Sequence, residues 1–240
     1  MELFLQSETW IALLTLTFLE VVLGIDNIIF ISILSNNLPA DRRKKARTAG
    51  IGLALFTRIA MLLGISWIIG LTKPIFTLFE HAVSGRDLVL FSGGLFLLVK
   101  STLEIHHKVE GQNELESGKK ERSLSFGQTI AQIALLDIVF SFDSILTAIG
   151  MTDHVILMII AVVISMVIML IFAGEVADFI EKHPTLQMLA LSFLILIGFV
   201  LVTESFHVEI PKGYIYFAVF FSLAVEFLNI RTFRKKTDKG

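Results

Sequence analysis

The stretch Leu19-Glu20-Val21-Val22-Leu23-Gly24-Ile25-Asp26-Asn27-Ile28-Ile29 sets two acids six residues apart inside an otherwise apolar run. A second stretch, Leu136-Asp137-Ile138-Val139-Phe140-Ser141-Phe142-Asp143-Ser144-Ile145-Leu146, carries the same pattern: acid, acid, then a small amide or hydroxyl residue. The offset between the two is 117 residues. Each acid-bearing run is about 20 residues long or more, enough for a helix to cross ~30 Å of hydrocarbon. Two short apolar segments match easily by chance. A match of both acids, their spacing and the polar follower is much harder to reach that way.

Outward from these runs the chain is apolar throughout. Of its 240 residues 55% are hydrophobic and 18% charged, and the mean hydropathy is +0.79. That excludes an ordinary soluble enzyme, a disordered tail and a nucleic-acid binder. A net charge of −2 gives no general attraction for polyanions. No Cys is present, so disulfides, thiolate metal sites and cysteine nucleophiles are excluded. The 21 Phe against four Tyr and Trp suit lipid contact. Seven spans are read, at roughly 10–34, 50–71, 88–104, 127–150, 155–174, 187–203 and 213–230. The first has no basic leader and holds acids at its middle, so it is not read as a cleavable signal. Helices are expected, because lipid obliges each segment to satisfy its own backbone groups.

Fifteen of the 20 Lys and Arg fall on one side of the alternation, in 35–49, 105–126, the C-terminal tail and Lys182. Lys73, Arg86 and Lys212 fall on the other, and Arg58 and Lys100 lie within spans. The positive-inside rule then places the N-terminus outside and the C-terminus in the cytoplasm. The run Arg42 to Arg47 would face anionic headgroups. The third and sixth spans also end alike, Glu104 with His107 and Glu204 with His207. The expected architecture is all-α, seven transmembrane helices as a 3+3 inverted repeat plus one. Along the chain this gives a first repeat at 1–110, a cytoplasmic linker at 111–126, an inverted second repeat at 127–207, and a seventh helix with a basic tail at 208–240.

Four acids at helix centres cost on the order of 10–14 kcal/mol at about 2.5–3.5 each. Basic partners, protons, bound cations or a water-filled cavity must offset that. Six residues turn a helix by about 600°, setting the two acids of one motif about 120° apart and ~9 Å along the axis. One regular helix cannot chelate an ion with both. Two crossing repeats can bring Asp26 to Asp143 and Glu20 to Asp137. Gly24 and Ser141, between the acids, would permit close approach or local unwinding. Asn27 and Ser144 add neutral oxygens. An all-oxygen set suits hard divalent ions such as Mn²⁺, Mg²⁺ or Ca²⁺ and suits Cu⁺ poorly. Zn²⁺ would need a His, and none lies at mid-span. The rival readings are a helix-gluing polar network with Arg58 neutralising one acid, and a proton relay without metal.

Arg58, Lys100, Glu104, Glu226 and Asn229 are further pathway candidates, Glu226 and Asn229 standing one turn apart on one face. Gln128 and Gln132 are expected to hydrogen-bond a neighbouring helix. No phosphate-binding loop and no hydrolytic triad occurs, so neither ATP hydrolysis within this chain nor another enzyme activity is expected.

At Glu20 to Asn27, at Gly93-Gly-Leu-Phe-Leu-Leu-Val-Lys-Ser-Thr-Leu-Glu-Ile-His-His107, at Asp137 to Ser144 and at Val225-Glu-Phe-Leu-Asn229, the chain resembles the TerC family of integral membrane proteins. The likeness spans essentially the whole chain. It implies kinship with LysE-type transporters, a link to tellurium resistance, and manganese efflux in some members. It also implies that Glu20, Asp26, Asn27, Asp137, Asp143 and Ser144 are the metal positions, with no departure at these motifs. The expectation is therefore a bacterial inner-membrane exporter of a divalent cation, Mn²⁺ foremost. Proton antiport at Glu20 or Asp137 would be its coupling. No resident cofactor and no nucleic acid are expected. Partners would be the lipid bilayer, the metal ion, and either further copies or a membrane complex. The alternatives are a non-transporting scaffold in a metal/tellurite stress-resistance or export complex, and a LysE-like exporter of a small organic cation.

Overall fold

The computed structural model describes residues 7–36, 38–78, 81–114, 125–152, 154–208 and 210–237. Helices run from Ser7–Asn36 (α1), Ala40–Leu63 (α2), Ile65–Gly70 (α3), Gly85–Glu114 (α4), Phe126–Ile149 (α5), Val155–Glu181 (α6), Pro184–Glu204 (α7) and Lys212–Thr237 (α8). Seven of these, all but α3, are long and apolar enough to cross a membrane. Their large outward-facing residues are apolar, Phe18, Phe56, Phe172 and Phe220 among them, as lipid contact requires. The all-α polytopic expectation holds, with differences that each have a local cause.

The second span starts ten residues earlier than read, at Ala40 directly after Pro39, and its first turns carry Arg42 to Arg47. Two of these bases meet counter-charges on α6. Arg43 pairs with Glu181 at 2.5 Å and Arg47 with Asp178 at 3.9 Å. The same span breaks at Gly64, which leaves the helix at ψ 23° and is followed by the short α3. The connection beyond it holds a two-stranded antiparallel ladder, Pro74–Leu78 (β1) with His81–Ser84 (β2). Its Ile75 and Phe76 are exposed. The third span continues to Glu114 rather than stopping near 104, with Lys108 donating to Gln187 Oε1. Of the linker expected at 111–126, residues 115–124 lie outside the described part.

The chain divides into two compact units, Met1–Arg86 with Lys120–Glu181, and Asp87–Lys119 with Lys182–Gly240. Each unit draws helices from both halves of the sequence. In the first, α1 packs chiefly on α6 and α2 chiefly on α5. Gly24 makes the α1–α6 approach possible. A Cβ there would lie 2.4 Å from the Met169 sulfur. Both acid-bearing helices stay wound through their motifs. Three buried hydroxyls of this unit donate within their own helix, Ser32 to Ile28 O, Ser35 to Ser32 O and Ser165 to Val162 O, which satisfies them in an apolar surrounding.

In the second unit α4 and α7 meet through glycines. A Cβ on Gly94 would lie 2.7 Å from the Gly198 carbonyl oxygen, and one on Gly198 2.9 Å from the Gly94 oxygen. Two backbones in van der Waals contact is the small-residue mode of helix association in lipid. Phe91 meets Phe206 edge to face. His207, at the left-handed φ of 61°, sets its ring 3.0 Å from Asp87 Oδ2. His107 is helical and exposed, so the like endings of the third and sixth spans have unlike geometry.

Candidate functional site

The densest buried polar cluster of the first unit sits where α1, α2 and α5 meet. Arg58, on α2, donates through Nη1 to Glu20 Oε2 on α1. Its Nε donates to Asp137 Oδ1 on α5 at 3.2 Å. The Thr57 hydroxyl lies 2.9 Å from Asp137 Oδ2 and 2.9 Å from the Ala54 carbonyl oxygen, so its one proton is shared between the two acceptors. Two consecutive residues of α2 thus hold both oxygens of Asp137. The side chains of Arg58, Glu20 and Asp137 are 2%, 7% and 4% exposed. The glycine of α2 at Gly50 lets α5 close in, with Ile133 atoms 3.0 Å from where a Cβ would stand.

The expected meeting of Glu20 with Asp137 is therefore present, mediated by a guanidinium. Sequence reading allowed Arg58 one acid, and the structure gives it two. The planar guanidinium explains that reach, because its donors fork in more than one direction. The three side chains carry a net charge of −1. Removing one partner from such a buried set leaves an uncompensated charge, so the three act as a unit.

Asp26 and Asp143 are helical positions whose side chains lie outside the described part, and so does the expected meeting between them. Their neighbours are described. Asn27 is 7% exposed, and its Nδ2 is buried without a hydrogen-bond partner among the described residues. Ser141 is fully buried, and its hydroxyl likewise has none among the described residues. Ser144 is buried and donates to the Ser141 carbonyl at 3.2 Å. Orphaned polar atoms inside an apolar bundle cost about 1–3 kcal/mol each and mark places where another group is to be met. Here they flank the second acid of each motif. Among the described residues, no three His, Asp or Glu side chains form a metal-holding group. The described acids of the motifs meet a cation of the protein itself.

The remaining candidates lie in the second unit. Lys100 pairs with Glu104 one turn on, at 3.3 Å. Glu226 accepts from Thr185 and ties α8 to the start of α7, while Asn229 is exposed. The first pairing lies within one helix, and the second links two. Gln128 does not reach for a neighbouring helix. Ser125 caps α5, accepting from Gln128 N at 3.3 Å, and Gln128 Oε1 accepts from Ser125 N at 3.0 Å. That capping box was legible as Ser-x-x-Gln before an apolar run. Gln132 Oε1 is buried without a partner among the described residues. The role of Thr57 had no sequence signal beyond its place beside Arg58.

The profile described as the integral membrane protein TerC family matches residues 5–239. The chain is 53% identical over 225 residues to the UPF0053 inner membrane protein YgdQ of Escherichia coli (strain K12), covering 94% of each. It is 50% identical over 226 residues to a UPF0053 protein of Haemophilus influenzae, covering 94% of this chain and 95% of that one. It is 46% identical over 229 residues to the UPF0053 inner membrane protein YoaE of E. coli K12, covering 95% of this chain and 44% of that longer protein. No solved structure matches. A doubled acidic motif, seven helices fit to cross a bilayer and a family profile that runs from end to end agree: the chain belongs to the TerC family of integral membrane proteins.

Proposed function

We propose that this protein is an inner-membrane transporter that exports a divalent metal cation, Mn²⁺ foremost, through a site built from the two acidic motifs. One observation carries the reading. Buried carboxylates from α1 and α5, far apart in sequence, converge on a single positive charge. Glu20, Asp26, Asn27, Asp137, Asp143 and Ser144 would supply oxygens, and hard divalent ions match such a set. The Ser141 hydroxyl, without a hydrogen-bond partner among the described residues, supports a guest near the second acid of α5. The packing of α1 on α6 and of α2 on α5 supports an inverted repeat, since exchanging the halves turns one pair into the other. Two relatives are named inner membrane proteins, which supports the same membrane here. The N-terminus would then lie outside, with Arg43 and Arg47 at the cytoplasmic ends of α2 and α6.

Proteoliposomes loaded with a Mn²⁺-quenched dye test this. Wild-type protein should quench the dye, while Asp26→Asn and Asp143→Asn should fall to the protein-free rate. Equal flux in all three removes the acids from the mechanism. The Arg58 bridge favours a second reading, in which the acids serve structurally in a membrane scaffold. Folded wild-type protein that moves neither Mn²⁺, Mg²⁺, Ca²⁺ nor a basic amino acid would establish that one.

A further inference from the structure

We infer that Arg58 is the resident counter-charge of the translocation site: its guanidinium holds Glu20 and Asp137 when no cargo is bound, and the cargo cation competes with it for them. The inference rests on the transport reading above. Three observations lead to it. Arg58 touches the first acid of both motifs and is almost fully buried. Thr57, the residue before it, holds the other oxygen of Asp137, so all the described donors to this acid pair come from α2. The acid pair alone carries −2, matched to a divalent ion, and −1 once Arg58 is counted.

The consequence is a competition with unequal terms. A divalent cation neutralises the pair fully, and Arg58 only by half. The guanidinium has the advantage of being tethered, which gives it a high effective concentration at the carboxylates. An ion arriving at the site must displace it, and its return helps to expel the ion. When the site is empty, Arg58 keeps two like charges from facing each other unshielded in a medium of low dielectric constant. A merely structural arginine would have no such relation to Mn²⁺.

The experiment measures Mn²⁺ binding to the full chain in lipid nanodiscs, by the loss of the free-ion electron spin resonance signal, beside Mn²⁺ flux in proteoliposomes. In Arg58→Ala, Mn²⁺ should bind about tenfold more tightly or better than in wild type, and flux should fall about tenfold. Free guanidinium ion should weaken Mn²⁺ binding to this variant and restore part of its flux, with little effect on wild type. Arg58→Lys keeps the charge without the fork and serves where the alanine variant does not fold. It releases one carboxylate, so Mn²⁺ should bind more tightly than to wild type. Unchanged or weaker Mn²⁺ binding in a folded variant overturns the inference. If wild-type flux is present and depends on Asp26 and Asp143, that failure leaves the transport reading standing. Wild-type protein that neither binds nor moves Mn²⁺ overturns both.

Discussion

The two units hold their helices together by opposite means. In the first, α1, α2 and α5 are joined by three buried charges. In the second, α4 and α7 approach most closely at Gly94 and Gly198, where only backbone and apolar side-chain atoms stand nearest. The glycine seam gains from dispersion and needs no desolvation. The charged triad is a poor way to gain stability, because apolar residues of similar volume often do as well or better. A fold that needed only stability would use the seam twice. The triad is in keeping with the transport reading proposed above.

Breaking the triad should produce the largest effect. Arg58→Met leaves Glu20 and Asp137 unpaired and should cost about 3–5 kcal/mol, read as a lowered unfolding temperature in detergent or nanodiscs. The triple variant Glu20→Gln, Arg58→Met, Asp137→Asn removes all three charges and should recover most of that loss while abolishing flux. If the triple variant is as unstable as the single one, shape rather than charge holds this junction. Next comes Thr57→Val, which deprives a buried carboxylate of a hydroxyl donor and should cost about 1.5–3 kcal/mol. An unchanged unfolding temperature would show that Arg58 alone satisfies Asp137.

At the seam, Gly94→Ala forces a methyl group against a backbone oxygen and should cost about 1–3 kcal/mol. Gly174→Ala, where a Cβ meets nothing within 4 Å, should gain up to about 1 kcal/mol from helix propensity. Equal effects at the two glycines would deny that α4 and α7 depend on close approach. The smallest change is expected from Glu181→Gln. It breaks a partly exposed ion pair and should shift stability by at most about 1 kcal/mol, less still at high salt. A larger loss would make the α2–α6 ends part of the structural core.

Much of this was legible along the chain, and the reasons differ by residue. The spans could be read because the bilayer imposes length and apolarity on each segment separately. Glu20 and Asp137 stood out because a charge in such a segment is costly. The start of α2 was hidden. Its basic first turns look like a loop until Asp178 and Glu181, over a hundred residues away, are seen to neutralise them. The β1–β2 ladder was missed because a short segment outside the spans has no apolar stretch to mark it. The bridging by Arg58 and the part of Thr57 depend on which face of α2 meets α1 and α5, and local periodicity does not name the partner.

The order of the chain by itself determined that it is a seven-span helical membrane protein of the TerC family with paired intramembrane acids. Those features are set by hydropathy and motif, and each is satisfied within one segment. Only the tertiary structure decided which helices share a unit, that Gly94 and Gly198 touch, and that one guanidinium stands between Glu20 and Asp137. Those facts are relations between segments. They depend on side-chain geometry across helix interfaces, where the free energy of burying a charge is settled by the partner it finds there.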